Sequence, residues 1–133
     1  MTESALLLLI VFQFKHLIAD YYLQFPYMYE NKGNEHHWME PLIHHSLVHG
    51  VFTLFISASF LAYTGAEETS FNKSLFLGVV LFDMITHFIT DRWKATRGRG
   101  PNESKFWTDL GIDQMIHHIV GIIIVYILVS QAQ

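Results

Sequence analysis

The sequence predicts an all-α integral membrane protein, an up-down-up-down four-helix bundle. Two observations lead there. The chain of 133 residues is 51% hydrophobic and only 15% charged, where a soluble domain carries about 25% charged residues. Its ionisable residues also recur at four-residue steps inside apolar runs: His16 and Asp20, His45 and His49, His87 and Asp91, Asp113 and His117. At about 3.6 residues per turn, the members of each pair share one helix face. A charged side chain at the bilayer centre costs at least about 2.5–3.5 kcal/mol, so each stripe must face protein.

The first expected helix covers residues 4–29. Ser4 can cap it, Leu6 to Phe12 is continuous hydrophobe, and Gln13, His16, Asp20 and Gln24 recur on one face before Pro26 ends or kinks it. With no basic start before the apolar run and no small-residue cleavage site after it, residues 1–14 do not read as a signal peptide. Asn31 to Glu40 is a polar loop containing Gly33, Asn34, His36 and His37. The second helix covers 41–63, with Pro41 suited to its first turn and His44, His45 and His49 near its start. Thr64 to Asn72 is a short loop with the acidic pair Glu67 and Glu68. The third helix covers 73–96 and carries Asp83, His87 and Asp91 in its second half. Arg97-Gly-Arg-Gly-Pro-Asn102 is the clearest turn. The fourth helix covers 104–130, with Asp109, Asp113 and His117 on one face. These elements form a single domain over 1–133, as the length suggests.

The polar pairs fall late in the first and third helices and early in the second and fourth. Short connections make neighbours antiparallel, which brings all four pairs to similar depth at one end and leaves the other end nearly pure hydrocarbon. The polar end carries Lys32, Arg92, Lys94, Arg97, Arg99 and Lys105; the opposite side has Lys73 with Glu3, Glu67 and Glu68. The positive-inside rule then puts the polar end in the cytoplasm of an inner-membrane protein, with both termini outside. Tyr21, Tyr22, Tyr27, Tyr29, Trp38, Trp93 and Trp107 cluster at that end as an interfacial belt. The alternation of His-x-x-x-Asp with a partner pair in each hairpin also suggests an internal two-fold repeat.

Five histidines and three aspartates that meet in this way can hold one or two divalent ions. Imidazole and carboxylate suit zinc first, with iron or manganese as alternatives. The chain has no cysteine, which excludes thiolate sites and disulfides. Asp83 and Asp109 lie a turn outside the set and are the candidate catalytic bases. Lys94 and Arg92, toward the mouth, could hold an anionic or amphiphilic substrate. The net charge of −4 argues against a nucleic-acid partner. The bilayer is the expected partner, and a homo-oligomer is left open. Two plainer readings use the same residues: helix-to-helix hydrogen bonds that only fix the fold, and a proton or ion pathway. His36, His37, His44 and His118 lie off the stripes and read as surface or interface residues.

His16-Leu-Ile-Ala-Asp20-Tyr-Tyr-Leu-Gln24, His45-Ser-Leu-Val-His49, His87-Phe-Ile-Thr-Asp91-Arg-Trp-Lys94 and Asp113-Gln-Met-Ile-His117 resemble a family of small polytopic membrane proteins of bacteria and phages, catalogued as a domain of unknown function. A more distant similarity, in motif style, is to membrane-bound metal-dependent hydrolases. That likeness implies metal-assisted hydrolysis of a lipid or phosphoester. His44-His45-x-x-x-His49 is also similar to the histidine boxes of membrane di-iron desaturases, but the paired His-x-x-His-His boxes of those enzymes are missing. The expected function is therefore a metal-dependent membrane hydrolase. An ion or proton carrier and a non-catalytic accessory protein are the alternatives.

Overall fold

A computed structural model describes residues 2–65 and 73–132. The acidic loop residues Glu67 and Glu68 lie outside the described residues. The chain is all-α: α1 (Thr2–Leu17) continues into a single π-helical stretch (Ile18–Tyr22), followed by α2 (Pro26–Asn31), α3 (Met39–Thr64), α4 (Lys73–Ala95) and α5 (Ser104–Gln131). Four helices are long and apolar enough to cross a membrane: α1 with its π stretch, α3, α4 and α5. At about 1.5 Å per residue, the 23 residues of α4 exceed the ~30 Å hydrocarbon thickness, and the 20-residue span Glu3–Tyr22 just matches it. This is a multi-pass membrane four-helix bundle.

The first helix is shorter than the expected 4–29. The Leu23 N–H donates to the Ile18 carbonyl at 3.0 Å, closing the wide ring of a π turn, and the helix then stops. The cause is local. Phe25 precedes Pro26 and is held extended at φ −68° and ψ 157°, because the proline ring disfavours helical geometry in the residue before it. Pro26 instead opens α2 at a position where a missing N–H costs nothing. Its Met28 is buried, so α2 folds over the end of the bundle. Helix α3 begins at Met39, two residues earlier than expected, and Pro41 still falls in its first turn. It ends at Gly65, whose left-handed φ of 69° closes the cap onto Ala62. The turn between α4 and α5 is built the same way, with Gly98 at φ 61°.

The four spanning helices close a ring in which α3 packs on α4, α4 on α5, α5 on α1, and α1 more sparsely on α3. Gly50 lets α3 and α4 approach: a Cβ there would collide with the Met84 side chain. At the end bearing the termini, Leu8, Phe12, Phe60, Leu61, Val79, Val120, Ile124, Val125 and Leu128 form one dry cluster. Outward-facing Leu6, Phe55, Ile89 and Tyr126 are exposed, as lipid-facing residues must be. The two hairpins of the suggested repeat differ in build. The first has α2 inserted between its helices and a π stretch in its leading one, and the second has neither.

Candidate metal centre

Asp20 lies at the middle of the polar end, on the π stretch of α1. Its Oδ1 is 2.9 Å from His49 Nε2, 3.2 Å from His45 Nε2 and 3.4 Å from His87 Nε2, while Oδ2 is 3.3 Å from His16 Nε2. Helices α1, α3 and α4 thus aim four imidazoles at one carboxylate. Single π turns are frequent at functional sites, and this one carries the residue on which the histidines converge.

Beside it is a pair of carboxylates, Asp91 and Asp113. His117 Nε2 is 3.4 Å from Asp113 Oδ1 and 3.7 Å from Asp91 Oδ1. His45 Nε2 links the two halves, 3.5 Å from Asp91 Oδ2. His49, His87 and His117 stack, with ring centroids 3.4 Å and 3.8 Å apart.

All eight residues expected from spacing therefore meet in one cluster. Among the described residues, three ligand sets each have their atoms within 4.8 Å of one another: His16, Asp20, His49 and His87; His45, His87 and Asp91; Asp91, Asp113 and His117. The donor set is nitrogen and oxygen without sulfur, which suits zinc, iron or manganese. Hydrogen bonding leaves much of the set unused. Both ring nitrogens of His45 and of His117, Nδ1 of His49, Nε2 of His87 and Oδ1 of Asp113 are buried without a well-directed hydrogen bond among the described residues, although Nε2 of His45, His87 and His117 each face a carboxylate oxygen at 3.2–3.4 Å. Each such atom costs about 1–3 kcal/mol if nothing pairs with it. Native interiors carry only a few of them per 100 residues, and here they gather in one cluster. A cation that accepts one lone pair from each imidazole and carboxylate would satisfy several of these atoms together, so the residues fit a metal.

One helical turn deeper lies a second polar layer. Lys15 Nζ donates to Asp83 Oδ2 at 2.6 Å, and Thr53 Oγ1 donates to the same oxygen at 2.6 Å. Asp83 thus belongs beneath the cluster rather than within it. It shares a cavity of about 10 Å³, bounded also by His16, His87, His117 and His118, with room for about one water. This cavity lies at the seam of α1 with α5, where Gly121 carries no side chain and Gln13 is exposed to the outside.

Above the cluster, basic side chains form a roof. Lys32 Nζ is 2.8 Å from Asp91 Oδ2, Lys94 Nζ is 2.6 Å from Asp113 Oδ2, and Arg99 holds Asp109 at 2.6 Å. Asp109, the other candidate base, is therefore tied up at the mouth and stands outside the three ligand sets. Arg92 does not stand free for substrate. It donates to the Lys32 carbonyl at 2.8 Å and lies over the Trp38 ring at 4.2 Å, latching the 32–38 segment to α4. Gln114 bridges the centre: its Oε1 is 3.1 Å from His16 Nε2, and its Nε2 donates to Asp113 Oδ2 at 3.2 Å.

Spacing alone missed Lys15, Lys32 and Thr53. Lys15 had a signal, being a lone lysine inside an apolar run, where an ionisable residue is by default functional. Lys32 had none, because a loop residue reaches the centre only through the fold of the cap. His36 and His37 are exposed, and their N–H groups donate to Asn34 Oδ1 in a local turn. His44 Nδ1 and the Tyr27 hydroxyl share a hydrogen bond on the outside. His118 is half-buried with its ring edge on His16.

The chain belongs to the family described as Protein of unknown function (DUF3307), whose family model matches residues 7–133. No curated protein and no solved structure matches it.

Proposed function

We propose that this DUF3307-family chain is a metal-dependent hydrolase of the inner membrane, acting on a lipid or phosphoester-type substrate at the His/Asp centre. The observation that carries this reading is the convergence of eight imidazole and carboxylate groups with so many buried ligand atoms left without well-directed hydrogen bonds. His16, Asp20, His45, His49, His87, Asp91, Asp113 and His117 would hold one or two divalent ions, zinc first. A bound ion supplies Lewis acidity toward an ester or phosphoryl oxygen and toward water.

The chain's own residues supply the rest. Asp83 borders the one-water cavity together with His16, His87 and His117, which supports it over Asp109 as the base that accepts a proton from water. Lys15 and Thr53 both bind Oδ2 and fix the carboxylate, and neither occupies Oδ1. Gln114 holds His16 and Asp113 in register. Lys94 and Lys32 place positive charge at the mouth, where an anionic group would approach. The α1–α5 seam, with Gln13 outward and His118 beside the cavity, offers a route for an amphiphile from the bilayer. The basic residues at this end support a cytoplasmic orientation for the centre, with both termini outside.

A carrier or channel for a divalent ion or proton is the rival. Beyond Ser57 the interior is the dry cluster of Phe60, Leu61, Val79, Ile124 and their neighbours. A blind polar end favours a site over a pathway. The third reading is an accessory protein of bacterial or phage origin whose polar interior only fixes the fold.

Elemental analysis of the purified protein, with His45→Ala and Asp91→Ala beside wild type, separates these. One or two tightly held ions per chain, reduced in both variants, are expected. Unchanged content in both variants removes these two residues as ligands. Weak, exchangeable ions with flux in proteoliposomes favour the carrier. No metal under any loading leaves the accessory reading.

A further inference from the structure

The two halves of the centre differ in their carboxylate count and in where the lysines are. Asp20 is approached only by imidazoles, and no ammonium lies within ion-pair distance of it among the described residues. Asp91 and Asp113 each carry an ammonium, Lys32 at 2.8 Å and Lys94 at 2.6 Å. The Asp91 half still has ligand atoms to offer, since Asp113 Oδ1 and one ring nitrogen of His117 are buried without a well-directed hydrogen bond.

Charge then decides the order of filling. A divalent ion at His16, Asp20, His49 and His87 meets one carboxylate and leaves the centre slightly positive. A second divalent ion at Asp91, Asp113 and His117 would arrive where two carboxylates are already balanced by two ammoniums. With the lysines in place it would add two uncompensated positive charges to a buried volume, which is strongly unfavourable at low effective dielectric. The second ion therefore requires either that the lysines withdraw or that a dianion arrives with it. Both lysines are long and sit at the mouth, Lys32 in the cap and Lys94 in the last turn of α4. They can leave the carboxylates and still face a ligand there, and an ammonium is well suited to an anionic oxygen.

We propose that Lys32 and Lys94 gate a second metal position at Asp91, Asp113 and His117, which fills together with a doubly charged anionic group of the phosphate-monoester class. This rests on the metal reading above and adds to it the substrate's charge and the order of assembly. The first ion binds alone. The second ion and the dianion bind as a neutral pair, and the two released ammoniums turn to the anion's oxygens.

The test uses Mn²⁺ with the full-length, detergent-solubilised chain, by calorimetry and electron paramagnetic resonance, with inorganic phosphate as the probe. Wild type is expected to take one ion without phosphate and two with it, the second giving an exchange-coupled signal. Phosphate should tighten the second ion about tenfold or more, in the range of ordinary site-to-site coupling. In Lys32→Met/Lys94→Met the second ion should bind without phosphate. Two ions of similar affinity in wild type with and without phosphate overturn the gate and leave the metal reading standing. So does a single ion under every condition. No ion at all overturns both. If the double variant does not fold, the wild-type phosphate titration alone decides.

Discussion

Lys15→Met gives the sharpest test of how the floor of the centre is held. The Lys15 and Asp83 side chains are 4% and 5% exposed and their charges lie 2.6 Å apart. Screening by water, which reduces exposed pairs to about 0–1 kcal/mol, therefore does not apply. At an effective dielectric of about 20, two unit charges at that distance attract by about 6 kcal/mol, of which desolvation cancels a part. Methionine keeps the length and apolar stem of lysine but leaves the Asp83 carboxylate buried with only Thr53 as donor. The expected loss is about 3–5 kcal/mol, the usual cost of removing one partner of a buried pair. Adding Asp83→Asn should restore most of it, since the second change removes the stranded charge. Reversible unfolding in mixed detergent, run as a double-mutant cycle, measures both numbers. A loss under about 1 kcal/mol for Lys15→Met, or a double variant no more stable than the single, would refute the reasoning. Hydrolysis should fail in Asp83→Asn even where metal content is normal, because the amide cannot take the proton.

Asp20→Asn should release bound metal while leaving helicity intact, read by elemental analysis and circular dichroism, because it removes the one carboxylate of the His16, Asp20, His49 and His87 set. Chelation of wild type should lower the unfolding midpoint, and re-addition of zinc should restore it; at free metal about 1,000 times Kd the linked stability is about 4 kcal/mol. Gly50→Val should cost about 1–3 kcal/mol by overpacking against Met84, with Met84→Ala in the same chain recovering part of the loss. The chain has no cysteine, so Arg97→Cys and Glu3→Cys can be labelled singly in whole cells. A membrane-impermeant reagent should reach only the second, and the reverse pattern would invert the proposed orientation.

The four spans and the eight clustered groups are legible in the sequence because both follow from one periodicity. A helix that keeps 3.6 residues per turn converts four-residue spacing into a shared face, and antiparallel neighbours bring such faces level. Where the period fails, so does the expectation. The π stretch and the break before Pro26 shorten the first helix and turn the segment after it into a cap. The apolar run gives no warning of a π turn at Ile18–Tyr22. The basic residues at the polar end read as a topological signal, and Arg97 and Lys105 do remain exposed. Lys32, Lys94 and Arg99 are spent instead on Asp91, Asp113 and Asp109. Those pairings depend on how the cap and the last turn of α4 fold over the mouth, which no short-range pattern encodes. Lys15 is intermediate: its sequence position marks it as unusual, but its partner lies 68 residues away.

The dry cluster from Leu8 to Leu128 has an electrical consequence. Across an energised membrane, voltage drops over whatever does not conduct, and here the poorly polarisable half of the bundle lies between the centre and the far side. A charge moving through the whole membrane exchanges about 2.3 kcal/mol with a potential of 100 mV. A charge that reaches the His/Asp layer from the polar end crosses little of that drop. The proposed hydrolysis should therefore run at the same rate in polarised and depolarised vesicles, with the bilayer serving as insulation rather than as a source of driving force.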